Sequence, residues 1–299
     1  MFFDAFDNAE GMVFRPPSEA KSLILRVTIG CSHNACTFCS MYRDVRFRAR
    51  PLDEIAAIIG KAARYYPDLR RVFLADGNAL VLATDKLLAI MDMLKNAFPK
   101  LSRITIYGGP RDILRKTPEE LAALRRAGLA IIYLGIESGD DVVLAKVNKG
   151  VTAAEMVAAG RKVLDAGIKL STMVILGLGG RERTEEHALH TAEVVSAINP
   201  TMLSALTLML HKGTPLRQAA EQGEFQPLSP YEFLVELRQM LKHITLSEPC
   251  LFRSNHVSNL LPLAGTLPQD KEQLLADIDE VLAHFQDKRT PTFNDEGPF

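Results

Sequence analysis

Three of the chain's four cysteines fall within nine residues, in "GCSHNACTFCSMY" (30–42). Cys31, Cys36 and Cys39 have the spacing C-x4-C-x2-C. In a reducing compartment, thiols gathered this closely are metal ligands or redox groups before they are disulfides. A structural zinc site closes with four ligands, and so does the usual four-cysteine iron–sulfur cluster. Three thiolates can instead hold three irons of a [4Fe–4S] cube and leave the fourth open to an exogenous ligand. An open coordination position is what a catalytic metal centre needs. The competing reading is a zinc site completed by His33 or the distant Cys250, but no second half-site such as C-x2-C or H-x3-H follows downstream.

Further chemistry gathers where predicted strands end. "RVFLADGNAL" (71–80) ends in the turn Asp76-Gly77-Asn78, which also reads as an ordinary strand-to-helix turn. "AIIYLGIE" (130–137) ends on Glu137, with Ser138 next. A carboxylate closing an apolar strand can accept hydrogen bonds from hydroxyls or an ammonium, while Ser138 or Asp140 can equally cap the following helix. Gly177, Gly179 and Gly180 would let a ligand approach the backbone closely. Tyr107, in "RITIYG" (103–108), is a substrate candidate. In "SEPCLFRSNHVSNLLPLAGTLPQDK" (247–271) Arg253 suits a carboxylate or phosphate, Asn255 a substrate hydrogen bond and His256 proton transfer. The same segment reads as a structural cap. Cys250 is a candidate hydrogen-atom donor, although a lone cysteine in an apolar strand is more often a buried small hydrophobe.

The elements that must position these residues alternate. Apolar runs at 22–29, 71–76, 103–108, 130–137, 168–177 and 201–210 predict strands covered on both faces. Between them lie helices with explicit start signals: Thr117-Pro118 with Glu120, Thr152 with Glu155, and Ser229 with Glu232. Gly128 and Gly167 stand at helix C-termini. Further helices are expected at 53–65, 84–97, 184–197 and 270–285. The alternation predicts an α/β fold with a parallel sheet, a partial (β/α)6 TIM-like barrel with a C-terminal extension. The expected divisions are an N-terminal extension 1–20, the barrel 21–225, a helical and loop extension 226–285 closing the barrel, and a disordered tail 286–299.

A net charge of -1 among 299 residues gives no general attraction to nucleic acid or membrane. No apolar run reaches a membrane span, and the first residues lack the basic start of a secretory signal. The expectation is a cytoplasmic protein. "YRDVRFRARP" (42–51) interleaves arginines with aromatics, a pattern used on RNA, but no RNA-binding module accompanies it.

The cysteine segment resembles the radical S-adenosylmethionine (SAM) superfamily, whose hallmark is C-x3-C-x2-C after the first barrel strand; here the first gap is one residue longer. "IYLGIESGDDVVLAKVNKG" (132–150), "STMVILGLGG" (171–180) and the Gly-Thr-Pro-Leu loop at 213–216 resemble, in order, segments of the subgroup that holds oxygen-independent coproporphyrinogen oxidases, elongator-type enzymes and methylthiotransferases. The resemblance implies Cys31, Cys36 and Cys39 on a [4Fe–4S] cluster and SAM on its open iron. It implies Phe38 against the adenine, and Asp76, Gly77, Asn78, Glu137, Ser138 and Gly177 around SAM. It implies reductive cleavage of SAM to start radical chemistry, oxygen sensitivity, and an electron donor such as flavodoxin or ferredoxin. A small organic molecule or tetrapyrrole is the favoured substrate. RNA modification and a non-catalytic iron–sulfur role in electron transfer or sensing are the alternatives. With no second cysteine group, an auxiliary cluster and methylthiotransferase-type sulfur insertion are disfavoured.

Overall fold

The structure, a computed structural model, describes residue 7, residues 12–285, and residues 288 and 290. Most of the expected 286–299 tail and the start of the 1–20 extension lie outside the described residues. The strands are β1 (Leu23–Arg26), β2 (Thr28–Ile29), β3 (Arg48–Ala49), β4 (Arg71–Ala75), β5 (Arg103–Tyr107), β6 (Leu129–Glu137), β7 (Lys169–Leu176), β8 (Met202–Thr207), β9 (Cys250–Ser254) and β10 (Leu263–Leu267). The α-helices are α1 (Leu52–Tyr65), α2 (Thr84–Ala97), α3 (Pro110–Arg115), α4 (Pro118–Arg126), α5 (Asp141–Lys146), α6 (Ala153–Asp165), α7 (Thr184–Ile198), α8 (Pro215–Glu221), α9 (Pro230–His243) and α10 (Lys271–Ala283). No helix of the described residues is long and apolar enough to cross a membrane.

The chain forms two compact units. The first takes in the described residues up to Asn34, Met41–Leu134 and Lys162–Leu170; the second takes in Ala35–Ser40, Gly135–Arg161 and the described residues from Ser171. In the first unit β1, β4, β5 and β6 pair in parallel in that order. Leu23, Leu25, Val72, Phe73, Leu74 and Ile106 are fully buried, as expected of parallel strands covered on both faces. The ribbon of β2 and β3 is antiparallel, with Thr28 opposite Ala49. In the second unit β7, β8 and β9 pair in parallel and β10 returns antiparallel to β9.

Local chemistry explains the helix boundaries. Thr117 and Ser229 each form a reciprocal capping box with the glutamate three residues on. The Thr152 hydroxyl accepts from the Glu155 N–H (3.2 Å), and the Glu155 carboxylate accepts from the Thr152 N–H (2.8 Å). Gly128 and Gly167 take positive φ just past α4 and α6. Two differences from the expected elements matter. The first strand breaks at Val27 into β1 and β2. The C-terminal extension contributes two strands to the second unit. The β10 sequence, Leu-Ala-Gly-Thr-Leu after a proline, lacks local strand signals. Pairing with β9 supplies the order that its own propensity does not.

Candidate active site

The turn that ends β4 meets the start of the cysteine loop residue for residue. Asp76 Oδ2 accepts the Gly30 N–H (3.1 Å). A side chain on Gly77 would lie 2.7 Å from the Tyr42 ring and 3.0 Å from Cys31 Cβ. Asn78 Nδ2 donates to Ser32 Oγ (2.7 Å), while its Oδ1 accepts the Gly109 N–H (2.7 Å) after β5. Asp76 is fully buried and ion-paired with Arg26 (2.9 Å) at the end of β1. Burial nevertheless holds its carboxyl above the usual range, against the pull of Arg26. The side chains of Asp76 and Asn78, expected at SAM, are turned to the cysteine loop and fix its course.

Two buried oxygens in this region have no hydrogen-bond partner among the described residues, Asp76 Oδ1 and the Tyr42 hydroxyl. Burial raises the Tyr42 phenol far above its ordinary value, helped by the negative charge of Asp76 and by neighbouring Tyr107 and Cys31. Buried polar groups are ordinarily satisfied, so these two are suited to a polar ligand beside Cys31. Tyr107 itself ends β5 half-buried, its ring edge-on to Phe73 at 4.9 Å.

The Cys36–Cys39 stretch is held separately. The Thr37 N–H donates to Val147 O (3.0 Å), Thr37 O accepts the Leu216 N–H (3.1 Å), and Asn148 Nδ2 donates to Ala35 O (3.2 Å). The end of α5 and the first turn of α8 therefore grip it on both sides. Here the Gly-Thr-Pro-Leu loop acquires a physical role. Thr214 caps α8 by accepting the Arg217 N–H, Pro215 takes the first helical position, and Leu216 presents its N–H to Thr37. Phe38, expected against adenine, packs against Val143, Val147, Leu178, Leu210 and Leu216. Cys31, Cys36 and Cys39 are all half-buried.

The ends of β6 and β7 carry the next group. Glu137 takes a φ of +66°, rare for a residue with a side chain and a mark of functional strand ends. Its carboxylate folds over Gly135, where a side chain would fall 2.0 Å from Oε1, and accepts from Lys149 Nζ (2.9 Å). Ser138 is fully buried; its hydroxyl accepts the Asp140 N–H (3.0 Å) and lies 2.8 Å from His187 Nδ1. His187 Nε2 lies 3.1 Å from Ile175 O. A carbonyl only accepts, so Nε2 carries the proton and Ser138 donates to Nδ1. The Ser138 hydroxyl, expected near SAM, is thus committed within the protein. Gly177, at φ +79°, donates its N–H to Glu236 (2.6 Å), and the Phe233 ring stands where its side chain would be. Burial holds the Glu236 carboxyl above the glutamate range, partly offset by His187 and Thr184.

His187 and Glu236 were not legible as site residues. The one signal was Glu236 itself, a charge on the stripe of α9 that otherwise reads Phe233, Leu237 and Met240. The candidates of 247–271 separate. Arg253 is exposed and turns to the backbone carbonyls of Phe252 (2.7 Å) and Gly265 (3.3 Å). Asn255 is exposed. His256 is bonded to Ser258 Oγ (2.8 Å), and burial lowers its pKa. Cys250 is fully buried at the amino end of β9, with its thiol pushed up to about 12 by burial. It is a core residue there, about 13 Å along the strand from the end that carries Ser254.

The model of the radical SAM superfamily matches residues 25–195. The chain belongs to that superfamily. Its cofactors are accordingly a [4Fe–4S] cluster and SAM. The chain is 21% identical to the heme chaperone HemW of Bacillus subtilis over 71% of its own length and 56% of the relative's. It is 30% identical to a tRNA-2-methylthio-N(6)-dimethylallyladenosine synthase of Chlorobium luteolum over 61% of its length and 42% of the relative's. It thus spans about half the length of such curated relatives. The crystal structure of methylornithine synthase superposes with a TM-score of 0.54 at 16% identity, covering 92% of this chain and 72% of that one, and shows the shared α/β partial-barrel fold. Among the described residues no three His, Cys, Asp or Glu side chains are drawn together so as to hold a metal ion. Cys31, half-buried beside the orphaned Asp76 Oδ1 and Tyr42 hydroxyl, fits a cluster thiolate with room beside it for a polar non-protein ligand.

Proposed function

We propose that this chain is a radical SAM enzyme in which Cys31, Cys36 and Cys39 hold three irons of the [4Fe–4S] cluster and SAM takes the fourth. The observation that carries this reading is the support given to a three-thiolate set. Asp76, Gly77 and Asn78 fix the approach to Cys31, and α5 and α8 grip the stretch with Cys36 and Cys39. Bound there, the two cofactors supply one-electron cleavage of a sulfonium carbon–sulfur bond and, from it, hydrogen-atom abstraction.

The protein's share is positioning. Gly177, pinned through its N–H by Glu236 and backed by the Phe233 ring, presents its backbone to the SAM adenine. Glu137, with Lys149 beside it, accepts from the ribose hydroxyls or the methionine ammonium. His187 fixes the start of the segment after β6 through Ser138 and the end of β7 through Ile175 O. The favoured substrate is a small organic molecule, with electrons from a flavodoxin- or ferredoxin-like donor. A tRNA substrate is the second reading, favoured by likeness to a tRNA-modifying synthase. The test is anaerobic 5′-deoxyadenosine formation from SAM with reconstituted protein and dithionite. Formation that disappears in Cys36→Ala supports the proposal. A Cys36→Ala protein as active as wild type would sink the ligand assignment. Retention of tRNA at physiological salt, weakening steeply as salt rises, would favour the second reading.

A further inference from the structure

The turn between α1 and β4 lines a cavity of about 470 Å³ at the amino end of the first unit's sheet, within the range of small-molecule sites. Tyr65 closes α1, and the turn after it is held by the Tyr66 N–H on Ala62 O (2.9 Å) and the Leu69 N–H on Tyr66 O (3.1 Å). Pro67 stiffens the same turn. Tyr65, Tyr66, Pro67 and the buried Leu69 make an aromatic and aliphatic wall, and Tyr65 is 71% exposed. An aromatic ring left to water beside a cavity is a platform for a planar ligand. Three cations share the lining, Lys21, Arg70 and Arg71. Leu23 pairs with Val72, so Lys21 and Arg70 each stand two residues ahead of the same rung of β1 and β4, and Arg71 opens β4. All three are exposed, and none has a side-chain hydrogen bond or ion pair among the described residues. Asp68, the acid of the described lining, is bound to Lys100 (2.7 Å). That bond and the charge of Lys100 hold its carboxyl below the usual range, and Arg70 adds to the pull.

We propose that this cavity is a nucleotide site, with the base against Tyr65 and Tyr66 and the phosphates between Lys21, Arg70 and Arg71. A phosphate alone has no use for the aromatic wall. A neutral aromatic ligand would leave three like charges uncompensated, in a chain whose net charge is -1. A single carboxylate meets only one of them. A nucleoside diphosphate, with about three negative charges at neutral pH, meets all three. Arginine matches phosphate oxygens with paired N–H donors, and every base offers a π-face for stacking. The cavity has the size for one drug-sized ligand, so the ligand is a free nucleotide and not a polymer. Arg71 and Asp76 lie about 17 Å apart along β4 and its end, and Asp76 is the residue that meets the cysteine loop. The site is therefore separate from the radical chemistry and suited to an effector. The proposal goes beyond the radical SAM reading and does not depend on it.

The test uses the reconstituted full chain, saturating SAM without reductant, and the fluorescent nucleotide N-methylanthraniloyl-ADP. Saturable binding of one probe per chain is expected, displaced by ADP at least about tenfold better than by adenosine or pyrophosphate. Tyr65→Ala removes the stacking platform and Arg71→Gln removes a charge; each should weaken ADP at least about fivefold. Tyr65→Phe keeps the π-face and should bind as wild type does. These side chains are exposed, so the variants keep the fold, which circular dichroism checks. Absence of saturable binding overturns the proposal, as does adenosine, pyrophosphate or O-phosphotyrosine matching ADP. So does unchanged affinity in Tyr65→Ala or in Arg71→Gln. Probe binding seen only when SAM is left out would place the probe in the SAM site and overturn it too. A short single-stranded RNA displacing the probe at least about tenfold better than ADP would make this an RNA contact and overturn the free-nucleotide assignment. The measurement needs no turnover, so failure to form 5′-deoxyadenosine leaves the site standing, and loss of the site leaves the radical reading standing.

Discussion

Gly77 sits where a methyl group would fall 2.7 Å from the Tyr42 ring and 3.0 Å from Cys31 Cβ. Gly77→Ala must therefore push on the Tyr42 ring and on the first cysteine behind it, and outer-shell changes of this kind cost about 10–100-fold in metal affinity. The expected result is iron lost to a chelator far faster than from wild type, with the fold retained by circular dichroism; wild-type retention would show that the turn does not support Cys31. Glu236 makes a different argument. Its native carboxyl lies above the unfolded value because burial dominates its environment. Such a group contributes stability that is fully present below the unfolded value, about 4.3, and lost as pH rises through the native value. Glu236→Gln keeps an oxygen for the Gly177 N–H but cannot ionise. Its stability relative to wild type should grow as pH rises from about 5 to about 8 in urea unfolding, and a difference that shrinks over that range would contradict the assignment.

Two helix caps of the same chemistry separate stability from function. Thr117 caps α4 and Thr214 caps α8, and replacing either by alanine should cost about 1 kcal/mol. Only α8 reaches the cysteines, through the Leu216 N–H on Thr37 O. Thr214→Ala should therefore also lose iron under chelator, and Thr117→Ala should not. Equal iron loss in both would make the effect one of stability alone. The Thr117 cap was plain in the sequence, as were the central strands, because a capping box and unbroken apolar runs are local signals; Thr214 reads there only as part of a loop. The grip of α8 on Thr37 has no such signal. It joins residues 179 apart in number by a backbone bond, and no side-chain pattern encodes that.

The same division runs through the whole molecule. Cys31, Cys36, Cys39, Glu137 and Gly177 are legible as candidates because clustered cysteines, a strand-end acid and a glycine run are patterns local in the chain. His187 looked like any helical histidine, and the bonds of Asp76 to Gly30 and of Asn78 to Ser32 have no local signature in the sequence. Local sequence reports what a residue can do. Burial and partners, which decide what it does do, come from elements distant in the chain. Cys250 is the sharpest case, since its type suggested chemistry while its place is that of the small buried hydrophobe that a lone cysteine in an apolar strand more often is. It is buried among apolar residues with its thiol held protonated. Cys250→Ala should leave iron content and 5′-deoxyadenosine formation at wild-type levels and cost about 1 kcal/mol of stability. Cys250→Ser should cost more, about 1–3 kcal/mol beyond that, if its new hydroxyl finds no partner in the core. Urea unfolding and the SAM cleavage assay on both variants separate the roles. A radical relay through this thiol requires product formation with substrate to collapse in the alanine variant while its stability barely moves, the opposite of what a small buried hydrophobe predicts.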